Sequence, residues 1–255
     1  MKPLVVHENS LSVAWVKLLS GLLDTGGLEL GPTLVVVDGF SDGKPKEDAR
    51  IPHILDGALR RRGLSTINTV ANTIFPYSLW NKVGTREELY RRYNKILPAI
   101  KKCPPNKYGI YFQRLIDYKS NGKTNQIEYV ISTYLEGNHR RSALQLALFD
   151  PERDSTNQRT RGFPCLQQIA VAAVNNQLTI TGFYPMQYHF EKSYGNYLGL
   201  CRLGEFIAHA LECTLVQMTC VSNVLSLGNH RKSEMDILLD ELAEAAPGVV
   251  DTCRN

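Results

Sequence analysis

The spacing of apolar positions changes several times along the chain, and each change predicts an element. Within 5–27, Val13, Trp15, Val16, Leu18, Leu19 and Leu22 recur at helical spacing. Ser10 or Ser12 suits the N-cap and Gly26-Gly27 the stop, so a helix is expected between them. Residues 33–40, TLVVVDGF, run apolar to Asp38-Gly39 and predict a buried strand. The segment 40–63 is polar and basic with two prolines and reads as surface connection. Residues 86–102, REELYRRYNKILPAIKK, carry a helical pattern interrupted near Pro98.

The second half is richer in strand signals. QIEYVISTYL (126–135) and SALQLALFD (142–150) are apolar or alternating at strand length, on either side of the turn EGNHRR. LQQIAVAAV (166–174) and LTITGF (178–183) are joined at Asn175-Asn176-Gln177 and predict a hairpin. Residues 196–218, NYLGLCRLGEFIAHALECTLVQM, are apolar on nearly every face, which predicts a long helix buried at the centre. An amphipathic helix, SEMDILLDELAEAA (233–246), follows. Strands and helices do not alternate strictly, so the fold class expected is α+β, in a single domain over 1–255.

Composition adds bounds. With 255 residues, 43% of them hydrophobic, the chain can bury a sizeable core. The net charge of +4 is scattered in short basic groups and forms no stripe. A nucleic-acid partner is therefore not expected, and an anionic small molecule fits the charge as well. The six cysteines lack CxxC pairing and the six histidines are isolated, so reduced thiols and no metal site are expected. The first ten residues have no apolar signal core, and no apolar run reaches membrane-span length. A cytoplasmic protein with no membrane partner is the expectation.

Cys165, in RGFPCLQQIAV, sits between a proline and a strand. Most free cysteines are small buried hydrophobes, so its company decides its reading. That company is Tyr108-Gly109 followed by Gln113-Arg114, then Arg140-Arg141 ahead of a strand, then Pro164-Cys165. Asn196 follows at the head of the long apolar helix, and Gly228-Asn229-His230 comes after it. In this order, over roughly 100–230, the chain resembles the thymidylate synthase and pyrimidine hydroxymethylase superfamily.

The resemblance implies a mixed β-sheet covered by helices, and a homodimer. It implies Cys165 as nucleophile, Asn196 reading the pyrimidine edge, and Tyr108 near C5. Gln187 and His230 would lie at the substrate, and Arg140 and Arg141 would be lent to the partner's phosphate site. The activity implied is methyl or hydroxymethyl transfer to C5 of a uracil-type nucleotide or related pyrimidine, the partner being a pyrimidine nucleotide or nucleoside. The donor implied is 5,10-methylenetetrahydrofolate, with no metal.

These residue types suit that chemistry. Pyrimidine C5 becomes nucleophilic only after something adds at C6, and a thiolate adds well and leaves well. Nearby cations lower a thiol pKa. An amide can bond both N3–H and O4 of uracil and stabilise the enolate charge, while a tyrosine hydroxyl can pass the C5 proton through water.

The departures are specific. The family's strand motif Gln-Arg-Ser-x-x-Asp falls on Tyr184 to His189, so Pro185 stands where the main phosphate arginine is expected, unless Arg161 or Arg202 supplies the charge. The sugar-gripping His-x-Tyr falls on Leu225 and Leu227, and the nearest counterpart of the folate-assisting glutamate is Asn72. The stretch after His230 is too short for the family's closing strands and tail. Two alternatives stand beside the transferase: a non-catalytic nucleotide-binding member of the fold, and a cysteine hydrolase pairing Cys165 with His189 or His209.

Overall fold

The computed structural model describes residues 3–26, 28–120, 122, 124–158 and 163–254, leaving out the side chains of 251–254. It is a mixed α+β structure in which helices pack on one side of a mixed sheet. The strands are β1 (Leu4–Glu8), β2 (Glu29–Leu30), β3 (Thr33–Val37), β4 (Phe40–Ser41), β5 (Lys44–Pro45), β6 (Gln145–Ala147), β7 (Gln168–Val174), β8 (Gln177–Tyr188) and β9 (Thr214–Ser226). The sheet order is β1-β3-β9-β8-β7-β6, with β2 also pairing β9. β1 and β3 are parallel, as are β8 and β9; the other neighbours in this path are antiparallel.

The register separates two faces. One cross-strand row, Val6–Val35–Cys220–Gly182–Ile169–Leu146, is buried throughout. It lies under helices α1 (Leu11–Asp24) and α8 (Tyr194–Ala210). The adjacent row, Val5–Leu34–Val221–Phe183–Gln168–Ala147, faces the other way. Val5 is 58% and Phe183 38% exposed there. No helix among the described residues covers that face.

Several expectations hold. Ser10 caps α1, its hydroxyl accepting from the Val13 amide, while Ser12 lies inside the helix and is buried. The β7–β8 hairpin turns at Asn175 and Asn176, both with positive φ, as a two-residue turn with Asn at both positions requires.

Others are corrected. Residues 126–135 form a helix, α6 (Gln126–Glu136), and not a strand. Their β-branched composition misleads, because Ile127, Val130 and Ile131 bury one helical face and the Asn125 side chain caps the first turn. Only Gln145–Ala147 of 142–150 is strand. The segment 40–63 holds the β4–β5 hairpin and helix α2 (Arg50–Arg61), which buries Ile51, Leu55, Ala58 and Leu59. Helix α4 (Arg86–Lys101) runs through Pro98, which is exposed, so the carbonyl freed by the missing N–H can meet water.

The long central helix stops at Ala210, and the rest of the expected helix is β9. The chain reverses at Glu212, whose φ is 54°. Strand β9 has sheet neighbours on both sides, and Met218, Thr219 and Cys220 are buried in succession. Such a run carries no alternation and cannot be told from a buried helix by pattern. The remaining helices are α3 (Ile67–Ile74), α5 (Tyr111–Ile116), α7 (Pro151–Asp154), α9 (Lys232–Ala245) and α10 (Pro247–Arg254).

Candidate active site

Cys165 lies in the short approach to β7. The Gln167 carbonyl accepts from the Leu148 amide at 2.8 Å, and the Gln167 amide donates to the Phe183 carbonyl at 2.9 Å. Those bonds fix the approach against the sheet end. Tyr111 of α5 completes it: its hydroxyl oxygen accepts from the backbone amides of Cys165 at 3.1 Å and Leu166 at 3.2 Å. One turn on, the guanidinium of Arg114 stacks 4.6 Å over the Phe163 ring and pairs with buried Asp154. Gly109 lets this happen. Its φ is 146°, and a Cβ there would sit 2.4 Å from the Phe163 ring.

Cys165 is an exposed residue. Desolvation by the protein around it nevertheless pushes its thiol pKa above the ordinary value, while the charge of Lys192 and a hydrogen bond from Tyr111 pull it down. The same burial raises the Tyr111 hydroxyl. Among the described residues no arginine pair acts on the thiol from within one chain, and the cation that does act on it is Lys192.

The other wall comes from the entry to α8. A Cβ on Gly204 would meet Ile180, and one on Gly182 would meet Leu200 and Leu166. Helix α8 therefore runs back along β8, and Asn196, one turn before Leu200, falls at the Cys165 end of the sheet. Asn196 is 5% exposed, and its amide makes no hydrogen bond with the described residues. Gln187 is buried, its Oε1 accepting from the hydroxyls of Tyr197 and Ser222, both at 3.2 Å. Its Nε2 and the Tyr184 hydroxyl have no hydrogen-bond partner among the described residues.

The turn His189–Ser193 leads into α8 and is pinned to α1. The His189 ring stacks on Trp15 at 4.8 Å, and the Trp15 indole N–H donates to Ser193 Oγ at 2.9 Å. Burial drives the His189 pKa down to about 3, so the ring is neutral. Both of its nitrogens are engaged, one with the Trp15 carbonyl and one with Ser193. Such a histidine cannot act as the base of a cysteine hydrolase.

The remaining candidates fall elsewhere. Arg140 and Arg141 are exposed, and neither guanidinium is engaged by the described residues. They precede β6, whose Gln145 pairs with Ala170, and Arg141 lines a cavity of about 270 Å³ with Val171 to Val174. Cys165 lies before the opposite end of β7. The seven residues of that strand span roughly 20 Å at about 3.3 Å each. One chain cannot bring its arginine pair to its own thiol.

Tyr108 is 38% exposed beside Lys107, and the tyrosine bonded to the Cys165 approach is Tyr111. His230 is held by Glu191 at 3.0 Å and packs edge-on to Phe190. Leu225 and Leu227 are fully buried core residues. Arg202 donates to Asn68 at 2.6 Å and Asn72 at 3.5 Å. It lines a separate cavity of about 250 Å³ with Leu198, one helical turn away on its own face of α8, so it does not replace the charge missing at Pro185. Arg161 lies outside the described residues.

Tyr111 and Lys192 were not legible as site residues. The only sequence signal for either is spacing, Tyr111 being one turn before Arg114 and Lys192 one turn before Asn196. No family model matches the chain, and no curated protein matches it. No helix among the described residues is long and apolar enough to cross a membrane.

Proposed function

We propose that the chain is a diverged pyrimidine C5 transferase with a thymidylate synthase-like fold, working as a homodimer through a Cys165 adduct. The observation that carries this reading is that an exposed, backbone-anchored cysteine and the largely buried Asn196, whose amide makes no hydrogen bond with the described residues, lie at one end of the sheet. In this reading the thiolate adds to C6 of a uracil-type ring and Asn196 bonds N3–H and O4. The C5 carbon then attacks a one-carbon electrophile at the formaldehyde oxidation level, the C5 proton leaves to solvent and the thiolate is expelled from C6. Water completes a hydroxymethyl product, and a methyl product requires a hydride donor as co-reactant. An amide offers one acceptor and one donor, which matches N3–H and O4 of uracil in one orientation and N3 and N4–H of cytosine in the other, so the uracil preference rests on the resemblance. The substrate proposed is a pyrimidine nucleotide or nucleoside, in a nucleotide-metabolic methyltransferase or hydroxymethyltransferase role.

Two features support the proposed homodimer. A sheet face that no described helix covers carries Val5, Leu34, Val221 and Phe183, and the exposed arginine pair lies at the wrong end of its own strand. A second copy laid on that face would cover the apolar row and could bring Arg140 and Arg141 to the neighbouring Cys165.

Methylenetetrahydrofolate is the donor the family resemblance suggests, but the residues here do not fit it well. Asn72, the nearest counterpart of the folate-assisting glutamate, is bonded to Arg202. No step is assigned to a folate. The alternative, a nucleotide-binding protein without turnover, is favoured by Pro185 and by the raised thiol pKa.

Release of tritium from C5-labelled uridine and deoxyuridine, and from their monophosphates, tests the reading without any donor. Exchange that disappears in Cys165→Ala is expected. Binding without exchange would replace the transferase with the binding protein, and neither binding nor exchange would sink both. Deoxyuridine monophosphate is not expected to be the best of the four, because Pro185 removes a bidentate phosphate partner.

A further inference from the structure

We propose that Lys192 is a positioning residue for Cys165, supplying in this chain the positive charge that Pro185 does not. The inference rests on the reading of Cys165 as a thiolate nucleophile. Its geometry comes from the end of the sheet at which both groups sit. The Gln167 amide bonds the Phe183 carbonyl, so the Cys165 approach runs beside the last residues of β8. Strand β8 ends at Tyr188, and the chain turns through His189–Ser193 into α8 at that same end. Lys192 lies on this turn, one helical turn ahead of Asn196.

The turn is rigidly held by the His189–Trp15 stack and the Trp15–Ser193 hydrogen bond, so the lysine backbone is fixed. Its ammonium is not committed to any described carboxylate. Lys192 is half-buried and makes no ion pair with the described residues, and the carboxylate next to it, Glu191, is taken by His230. A half-buried lysine without a carboxylate is placed to serve another anion.

Among the described residues, the titratable groups that act on the Cys165 thiol are Lys192 from the turn and Tyr111 from α5, and Tyr184 from β8 lies close enough to feel its charge. Both tyrosines are neutral in the working range because burial raises their pKa values. Among the described groups the lysine alone can favour the thiolate by full charge. Arg159 and Arg161 lie outside the described residues and are left unchanged in the test.

Site-resolved alkylation of the full chain by iodoacetamide, read by mass spectrometry from pH 6 to 10, tests the assignment. The step is attack of the Cys165 thiolate on the reagent's methylene carbon with loss of iodide, so its rate follows the thiolate fraction. Lys192→Met should move the profile to higher pH and slow labelling of Cys165 at pH 7.5 by roughly three- to tenfold, the size expected for removing one nearby opposite charge. Lys192→Arg should restore most of the rate, and Cys103 should label alike in all variants. Lys192→Gln repeats the comparison should the methionine variant fold poorly. An unchanged Cys165 profile, or a loss that arginine does not rescue, overturns the proposal. Alkylation needs no nucleotide, so a shifted profile without C5 exchange would defeat the transferase reading alone.

Discussion

At the start of β7 the chain builds its own surroundings, whereas at the far end it leaves them open. Before Gln168, the Tyr111 hydroxyl takes the amides of Cys165 and Leu166, Arg114 covers Phe163 and meets Asp154, and the Gln167 backbone is bonded on both sides. Beside Val171 to Val174, Arg140 and Arg141 lie exposed ahead of β6, with guanidinium groups that no described residue engages. The first end is organised before any ligand arrives, which is what a nucleophile needs if its geometry is not to be assembled at each encounter. The second has charge without counter-charge. Two arginines held side by side repel one another, and they gain only when an anion or another chain reaches them.

The contrast can be broken most severely at Asp154. Asp154→Ala would leave Arg114 buried and unpaired, a change expected to cost about 3–5 kcal/mol. Urea unfolding would show the midpoint fall accordingly, and the Cys165 approach should lose protection from hydrogen exchange before the rest of the sheet. A loss under about 1 kcal/mol would mean the pair does not hold this corner.

Acid acts on the same end through His189. Its pKa is about 3 in the folded chain against an ordinary 6.5, so the unfolded state binds the proton more tightly. The stability this contributes is full above about pH 6.5 and declines as the pH falls toward 3. The slope approaches about 1.4 kcal/mol per pH unit in that window. Urea midpoints at pH 7, 6, 5 and 4 should trace it, and His189→Gln should flatten the curve. Equal slopes for the two proteins would show that the ring is not the group being titrated.

The far end should behave in the opposite way. Replacing Arg140 and Arg141 together by glutamine should change the unfolding free energy of the chain by no more than about 0.5 kcal/mol, as for other exposed positions. It should nonetheless weaken binding of a pyrimidine monophosphate if a second copy presents these side chains. Light scattering at micromolar concentration should give a dimer for the parent chain. A monomer with unaltered nucleotide binding after the double substitution would remove the arginines from the site.

Much of the architecture could be read from the chain, and the failures share one cause. Ser10, the Asn175-Asn176 turn and the amphipathic α9 each express a local rule, a cap, a positive φ or a one-sided stripe, and each was legible. Helix α6 was not, because its residues prefer strands and only burial of Ile127, Val130 and Ile131 on one helical face decides otherwise. The boundary between α8 and β9 was hidden because both are buried on nearly every side, and a segment with no exposed face has no period to read. In the candidate site, Cys165 and Asn196 could be picked out by residue type and order. Tyr111 and Lys192 could not, since a tyrosine accepting backbone amides and a lysine without a partner look like any others in the chain.

What the sequence determined by itself was therefore the inventory: an α+β chain able to bury a large core, a thiol ahead of a strand, an amide at the head of an apolar helix, and scattered positive charge. Those depend on residue type and near-neighbour spacing. The tertiary structure alone decided which groups meet. It put Arg140 and Arg141 a strand's length from Cys165, set Tyr111 against the amides of Cys165 and Leu166, buried His189 on Trp15, and left one face of the sheet without a helix among the described residues. The physical reason is that strand register and helix docking are fixed by summed burial across the whole core, and no local stretch of sequence carries that sum.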